Sequence, residues 1–315
     1  MATDPGVMQC MEVWGGNQTT DDSVAVAGLD AWVYCRPYGK ADGGGDVYYV
    51  SSCATGRIAR LLLADVSGHG ETVRKVAIEL RDLMRRSVNQ LDHTRFLHSM
   101  NRQFGALASS GSFATAIVST FFAPTGRLRI CNAGHPIPMH FRAATRDWRF
   151  LENADKELGV DPVNLPLGVL EFGDYRHFDV SLDSDDYVLC YTDSLVEARH
   201  ADGQMLGHEG LMNLVRSVPV TTPARFIPDL LATIAKSCGD TLDNDDVTVL
   251  LFRPNGQGRR PTFKARAAGA GRIARAIGRS MRPGGEPVPW PDFKLSNIGG
   301  AMLPGLQKFW KPEGR

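Results

Sequence analysis

No stretch of this 315-residue chain stays apolar long enough to cross a bilayer. The longest apolar runs, such as the one ending at Leu61-Leu62-Leu63-Ala64, fall far short of the roughly 20 residues that a spanning helix needs. The opening Met1-Ala2-Thr3-Asp4-Pro5 lacks the basic region and apolar run of a secretory leader, so a cytoplasmic protein is expected. Disulfide and zinc chemistry find little support. Cys10, Cys35, Cys53, Cys131, Cys190 and Cys238 are widely spread with no C-x-x-C pair, as ordinary packed thiols are. There is no visible internal repeat and no recognisable nucleic-acid module, and no nucleic-acid partner is expected. The formal net charge is zero.

What is present is a globular composition with 43% hydrophobic residues, ample for a core. The zero net charge conceals an asymmetry. Residues 1–254 carry 23 Lys and Arg against 32 Asp and Glu, whereas residues 255–315 carry 12 against 3. The break falls at Pro254-Asn255-Gly256-Gln257-Gly258, just after an apolar run. The expected organisation is a short segment 1–27, a domain 28–254 and a basic, flexible tail 255–315.

Strand-like runs recur over Ala31–Cys35, Val47–Cys53, Ile58–Val66, Thr115–Phe122, Leu128–Cys131, Tyr175–Leu182, Tyr187–Tyr191 and Asp246–Phe252, many of them bounded by Gly, Asp, Asn or Pro. Three- and four-residue apolar spacing predicts helices over Thr72–Leu91, Thr94–Leu107, Gly210–Val218 and Pro223–Cys238. The turn Ala123-Pro124-Thr125-Gly126 joins two of the strands as a hairpin, so antiparallel pairing is favoured over repeated β-α-β crossovers. The fold class is therefore α+β: two packed, mainly antiparallel sheets with helices on their outer faces.

Four acidic motifs stand at the ends of these runs: Gly44-Gly45-Asp46, Asp65-Val66-Ser67-Gly68-His69-Gly70, Tyr191-Thr192-Asp193-Ser194 and Asp245-Asp246-Val247-Thr248. Any one of these acids alone serves as well for a turn or a helix cap. Together they place carboxylates where apolar strands meet solvent, and clustered carboxylates bind hard divalent cations. Oxygen-only ligands select Mg²⁺ or Mn²⁺ over zinc. Two such ions about 3.5–4 Å apart acidify a water and neutralise charge on a phosphoryl group.

These motifs, with Asn132-Ala133-Gly134-His135-Pro136, Leu165-Pro166-Leu167-Gly168 and Glu197-Ala198-Arg199, occur in the order seen in PPM-type serine/threonine phosphatases of the bacterial SpoIIE and RsbU branch, which the chain resembles over roughly residues 28–253. The resemblance implies an α-β-β-α sandwich binding two Mn²⁺ or Mg²⁺ ions between its sheets. It implies that Asp46 and Asp65 hold the pair, with the Val66 carbonyl adding a ligand. Asp193 and Asp245 complete one side, and Asp246 reaches a further water or ion. The implied substrate is a phosphoserine or phosphothreonine on a bacterial signalling protein, such as an anti-sigma factor antagonist of the STAS type. Two other readings stay open, a phosphatase-like scaffold that binds phosphoproteins without turnover and a hydrolase of small phosphoesters.

Ser194 departs from the family pattern, which has glycine there. If the turn needs positive φ, serine costs on the order of 1 kcal/mol. His69 has the chemistry to protonate a leaving serine oxygen, and equally to pack at a helix start. His135 reads as a turn or packing histidine or as a neighbour of substrate. Arg36 and Arg199 are the candidate phosphate clamps, with surface ion pairing as the competing reading. Gly269-Ala270-Gly271-Arg272-Ile273-Ala274 matches a dinucleotide fingerprint in letters but follows no strand-like run, and fails that context. The basic segment 266–282 is either a soluble tail or an arm that docks an acidic partner, folds over its own acidic domain or touches an anionic membrane. With about 27 residues ahead of the matched region, regulatory input is expected from a separate protein, the tail, self-association or metal availability.

Overall fold

The computed structural model describes residues 6–7, 13–26, 28–53, 57–67, 71–87, 92–107, 112–152, 163–170 and 173–256. In chain order the strands are β1 (Gly6–Val7), β2 (Val13–Gly16), β3 (Thr20–Val26), β4 (Leu29–Arg36), β5 (Asp46–Ser52) and β6 (Ile58–Val66), followed by helices α1 (Glu71–Arg86) and α2 (His93–Leu107). Then come β7 (Ala114–Phe122), β8 (Arg127–Ala133), β9 (Met139–Arg142), β10 (Asp147–Phe150), β11 (His177–Ser181) and β12 (Tyr187–Tyr191). Helices α3 (Ser194–Glu197), α4 (Gly207–Ser217) and α5 (Pro223–Cys238) precede the last strand, β13 (Val247–Pro254).

Two sheets result, one ordered β1-β3-β4-β13-β12-β9-β10 and the other β11-β8-β7-β6-β5-β2. Every pairing is antiparallel except β1 with β3. Strand β4 alternates buried and half-buried residues along its length. Its Leu29, Ala31, Val33 and Cys35 face the second sheet, where they meet Val50, Leu61, Leu63 and Ile117 in the core between the sheets. Its Trp32 and Tyr34 face outward onto the helical layer of α4 and α5. Strand β5 is buried at every position and β6 nearly so, because α1 and α2 cover the face turned away from the sandwich. Such two-sided burial reads in sequence as a continuous apolar run rather than an alternation.

The helical spacing resolves into contacts. Val73, Val76, Leu80, Leu83 and Met84 of α1, and Phe96, Leu97, Met100 and Phe104 of α2, pack together on Leu62, Ala64 and Val118. Arg60 locks this layer from inside the sheet. Fully buried in β6, it donates to the Thr120 hydroxyl at 3.1 Å and to the Ser87 carbonyl past the end of α1 at 2.8 Å, with its guanidinium 4.8 Å from the Phe96 ring centre. On the opposite face Phe226, Leu230 and Ile234 of α5 pack with Leu211 and Val215 of α4 against Val249 and Leu251. The layers are α-β-β-α, as the residue pattern implied.

The strands expected over Ile58–Val66 and Tyr187–Tyr191, and the helix expected over Pro223–Cys238, have those bounds in the structure. Helix α1 ends at Arg86, short of the expected Leu91, with residues 88–91 outside the described set. Strands β2 and β3 precede residue 28 yet pair with β5 and β4, so the sheets draw in part of the 1–27 segment. The described cysteines Cys35, Cys53, Cys131, Cys190 and Cys238 are buried free thiols. Among the described residues no helix is long and apolar enough to cross a membrane. The tail beyond Gly256, with its G-x-G-x-x-A match and basic segment, lies outside the described residues.

Candidate functional site

The four acidic motifs meet at one end of the sandwich, where strand ends of both sheets come together. In the β5–β6 ladder Asp46 is the direct cross-strand partner of Asp65. Direct partners in an antiparallel pair project from the same face, so the two carboxylates are neighbours. The Gly43–Gly45 stretch ahead of β5 is fixed by backbone exchange with Asn17. The Gly44 N–H donates to the Asn17 carbonyl at 2.9 Å, and the Asn17 side-chain amide returns a bond to the Gly44 carbonyl at 3.1 Å. Glycine is required at Gly45 on steric grounds. A Cβ there would lie 2.7 Å from the Val66 carbonyl oxygen, 3.3 Å from Asp246 Oδ2 and 3.7 Å from Asp65 Oδ1.

The other sheet supplies the remaining acids. Strands β12 and β13 are paired, and just past the end of β12 the Thr192 N–H donates to the Thr248 carbonyl while the Thr248 N–H, inside β13, donates to the Thr192 hydroxyl, each at 3.0 Å. That hydroxyl donates in turn to Asp46 Oδ2 at 2.9 Å, joining the two sheets across 146 residues of sequence. The Thr248 hydroxyl donates to Cys35 Sγ at 3.3 Å and lies close enough to Asp46 to lower its pKa. Neither threonine was assigned a role from sequence, although both stand inside quoted motifs; a hydroxyl one or two residues from an acid carries no signal until the strand neighbours are known. Asp193 immediately precedes α3 with ordinary right-handed helical dihedrals (φ −63°, ψ −24°). The described non-glycine residues with positive φ are Arg146 and Asn164, so Ser194 takes no strained conformation and serves as a helix-start residue.

Asp246 behaves differently from its neighbour Asp245. Its two oxygens accept backbone N–H groups, Oδ1 from Tyr38 at 2.6 Å and Oδ2 from Gly45. It thus clamps the loop before β5 onto the start of β13.

The electrostatics show how these groups face one another. Burial first, and then the Asp65 charge, push the Asp46 carboxyl well above its usual range, against which the Thr192 and Thr248 hydroxyls act. Burial, followed by Asp193, Asp245, Asp246 and Glu197, pushes Asp65 up to about 7. Asp193 is likewise raised by burial, then by Glu197 and Asp245. Glu197 therefore belongs to the same acidic field. Among the described residues no lysine or arginine forms an ion pair with Asp46, Asp65 or Asp193. A field of carboxylates lacking a positive partner is the chemistry that divalent cations satisfy. The gap at Gly45, lined by a carbonyl and two carboxylate oxygens, fits the same hard-oxygen preference. Among the described residues, however, no three His, Cys, Asp or Glu side chains close into a preformed cage.

The remaining candidates separate cleanly. His69 lies in residues 68–70, outside the described set. His135 is a buried turn histidine: its N–H and carbonyl are both held by the Asn132 side chain, at 2.7 and 2.8 Å, and its Nδ1 is 2.8 Å from the Thr115 hydroxyl. Burial pushes its pKa down to about 3, so the ring is neutral at physiological pH. Thr115 is itself the cross-strand partner of Asp65, which places His135 directly behind the acidic row. Arg36 is paired with Asp243 and donates to the Leu242 carbonyl at 2.7 Å, and Arg199 donates to the Gly203 carbonyl at 2.9 Å. Both guanidinium groups are engaged in local structure.

Comparison with known proteins agrees with this fold. The family model described as Stage II sporulation protein E (SpoIIE) matches residues 55–255. Among solved structures, the RsbU and RsbW domains of a Mycobacterium tuberculosis protein superpose with a TM-score of 0.61 at 24% identity, covering 81% of this chain and 70% of that one. The PP2C phosphatase domain of Bacillus subtilis SpoIIE, with a fragment of its regulatory domain, gives 0.59 at 14% identity, covering 78% and 70%. RsbX in complex with magnesium gives 0.54 at 13% identity, covering 75% and 100%.

Proposed function

Because the chain belongs to the SpoIIE family of PP2C-type phosphatases, we propose that it hydrolyses phosphoserine or phosphothreonine on a partner protein, using Mn²⁺ or Mg²⁺ held by its acidic row. The observation that carries the reading is the meeting of Asp46, Asp65, Asp193 and Asp245, from four separate motifs and both sheets, in one field that raises Asp65 to about 7 with no cation paired to it among the described residues. Asp46, Asp65, Asp193, Asp245 and the Val66 carbonyl are the proposed ligands. Asp246, with both oxygens on backbone N–H groups, holds the loop that presents Asp46 and reaches a metal only through water. Bound cations supply Lewis acidity for an attacking water and counter-charge for the phosphoryl oxygens.

The chain's own groups do the positioning. Thr192 fixes the Asp46 carboxylate, and with Thr248 it favours the charged form, the one a cation requires. Asn17 and Asp246 hold the glycine loop from two sides. Hydrolysis joins a water oxygen to phosphorus and releases the serine or threonine oxygen, which takes up a proton; His69 is the candidate donor. A phosphorylated anti-sigma factor antagonist of the STAS type is the proposed partner class, by family analogy, and the cytoplasm the proposed location.

The test is release of phosphate from p-nitrophenyl phosphate by the purified chain, with Mn²⁺ or Mg²⁺ and after chelation. Metal-dependent turnover is expected, lost in Asp193→Asn. Binding of phosphoproteins with no turnover of any ester under these conditions would establish the scaffold reading instead, and turnover of the small ester with none of phosphoprotein would establish the small-phosphoester reading.

A further inference from the structure

A cleft of about 1320 Å³ opens beside the acidic row, with Asp245 in its wall, and it is larger than phosphate chemistry alone requires. Sites for small ligands span roughly 300–1,000 Å³. From Asp245 and Gly43 the lining passes Tyr38 and the first turn of α1 to the β2–β3 turn at Asn17–Thr19. Tyr38 presents an exposed aromatic ring here, 58% accessible, where a solitary globular fold gains nothing by leaving it.

Among the described residues, two cations line this cleft. Arg36 is occupied by Asp243 and the Leu242 carbonyl. Arg74 is different: exposed on α1, it has no ion pair or hydrogen bond with any residue whose side chain is described. Its position is also unfavourable for the helix, because a cation in the first turn opposes the helix dipole. Val73, one residue earlier, is buried in the core and fixes the face of α1 from which Arg74 projects. An arginine so placed offers a planar fork of donors suited to a pair of anionic oxygens.

We propose that this cleft is the docking groove for an extended phosphorylated segment of the substrate protein, and that Arg74 captures an anionic oxygen pair of that segment while Tyr38 packs against its side chains. The proposal rests on the phosphatase reading and adds the element that makes it a protein phosphatase. The oxygen pair belongs either to the phosphoryl group or to an Asp or Glu carboxylate next to it.

The experiment uses the full chain with Mn²⁺, p-nitrophenyl phosphate, and two phosphoserine peptides that differ only in acidic or neutral flanking residues. Arg74→Ala should lower kcat/KM for the acidic-flank peptide by about tenfold or more, as expected for a lost charge-assisted hydrogen bond. Arg74→Lys should recover part of the loss, and the melting temperature with and without metal should match that of the parent. If the phosphoryl group is engaged, all three substrates lose equally; if a flanking carboxylate is engaged, only the acidic-flank peptide does. Kinetics of Arg74→Ala within twofold of the parent on all three would overturn the groove assignment and leave the phosphatase reading standing. A parent chain that hydrolyses none of the three, with metal present, would overturn both.

Discussion

Asp65→Asn removes one negative charge from the middle of the acidic row while keeping the size of the side chain, and in metal-free protein it should stabilise the fold. Asp65 titrates near 7 in the folded chain against an ordinary value of 3.8. Between those values the folded state holds a proton that the unfolded state has released. Stability therefore falls as pH rises from about 4 to about 7 and is flat above it. Three units at 1.36 kcal/mol each set a ceiling of about 4 kcal/mol at pH 8. Side-chain movement and water entry reduce the effect to about 2 kcal/mol. At about 2–4 °C per kcal/mol, the variant should melt roughly 4–8 °C above the parent in EDTA at pH 8. At pH 5 less than half of that advantage should remain, since there the parent's Asp65 is protonated. Thermal melts at the two pH values, with and without Mn²⁺, are the assay. Added Mn²⁺ should raise the parent's melting temperature by more than the variant's. A variant that melts at or below the parent at pH 8 in EDTA, or whose advantage is the same at pH 5, would refute the account of an uncompensated acidic row.

Thr192→Val deletes the hydroxyl that joins Asp46 to the opposite sheet, and should weaken Mn²⁺ affinity about 10- to 100-fold, read by calorimetric titration. Gly45→Ala drives a methyl group to 2.7 Å from the Val66 carbonyl oxygen and into the gap shared with Asp65 and Asp246. Metal-induced stabilisation should disappear in that variant even where far-UV circular dichroism is unchanged. Phe96→Ala empties a fully buried site beneath the Arg60 guanidinium and should cost about 3–5 kcal/mol in urea unfolding. A chain ending at Gly256 retains all of the core residues described above, and should unfold cooperatively with the same midpoint as the full chain.

The elements legible in the sequence are those whose neighbours leave them no choice. Strands β5 and β6 lie between a helical layer and a second sheet, so they are apolar on both faces and stand out as runs. Strands β2 and β3 escaped notice because their residues Gly15 and Gly16, then Thr20-Asp21-Asp22-Ser23, carry little strand character, and only pairing with β5 and β4 holds them extended. Strands β9 and β10 are four residues each, and the turn between them contains no glycine. Arg146 takes the positive φ, at 55°, that glycine usually signals. Among the site residues, the acids were readable from their places at strand ends. Thr192, Thr248 and Glu197 were not, because their importance arises from which strands become neighbours.

Asp46 shows why the site has this composition. A carboxylate only 2% exposed is among the least favourable groups a fold can bury, and a second acid stands opposite it in the ladder. Two threonine hydroxyls offset part of that cost, yet its protonation is still pushed well above the ordinary range. A sequence selected for stability alone would place a neutral residue there or pair the acid with a basic one, and among the described residues Asp46 has no such partner. On the proposed reading, the charge that completes the site is that of a bound cation. The oxygen lining of the gap at Gly45 favours a hard cation, and the neighbouring cleft, where Arg74 has no partner among the described side chains, leaves room for an anion beside it.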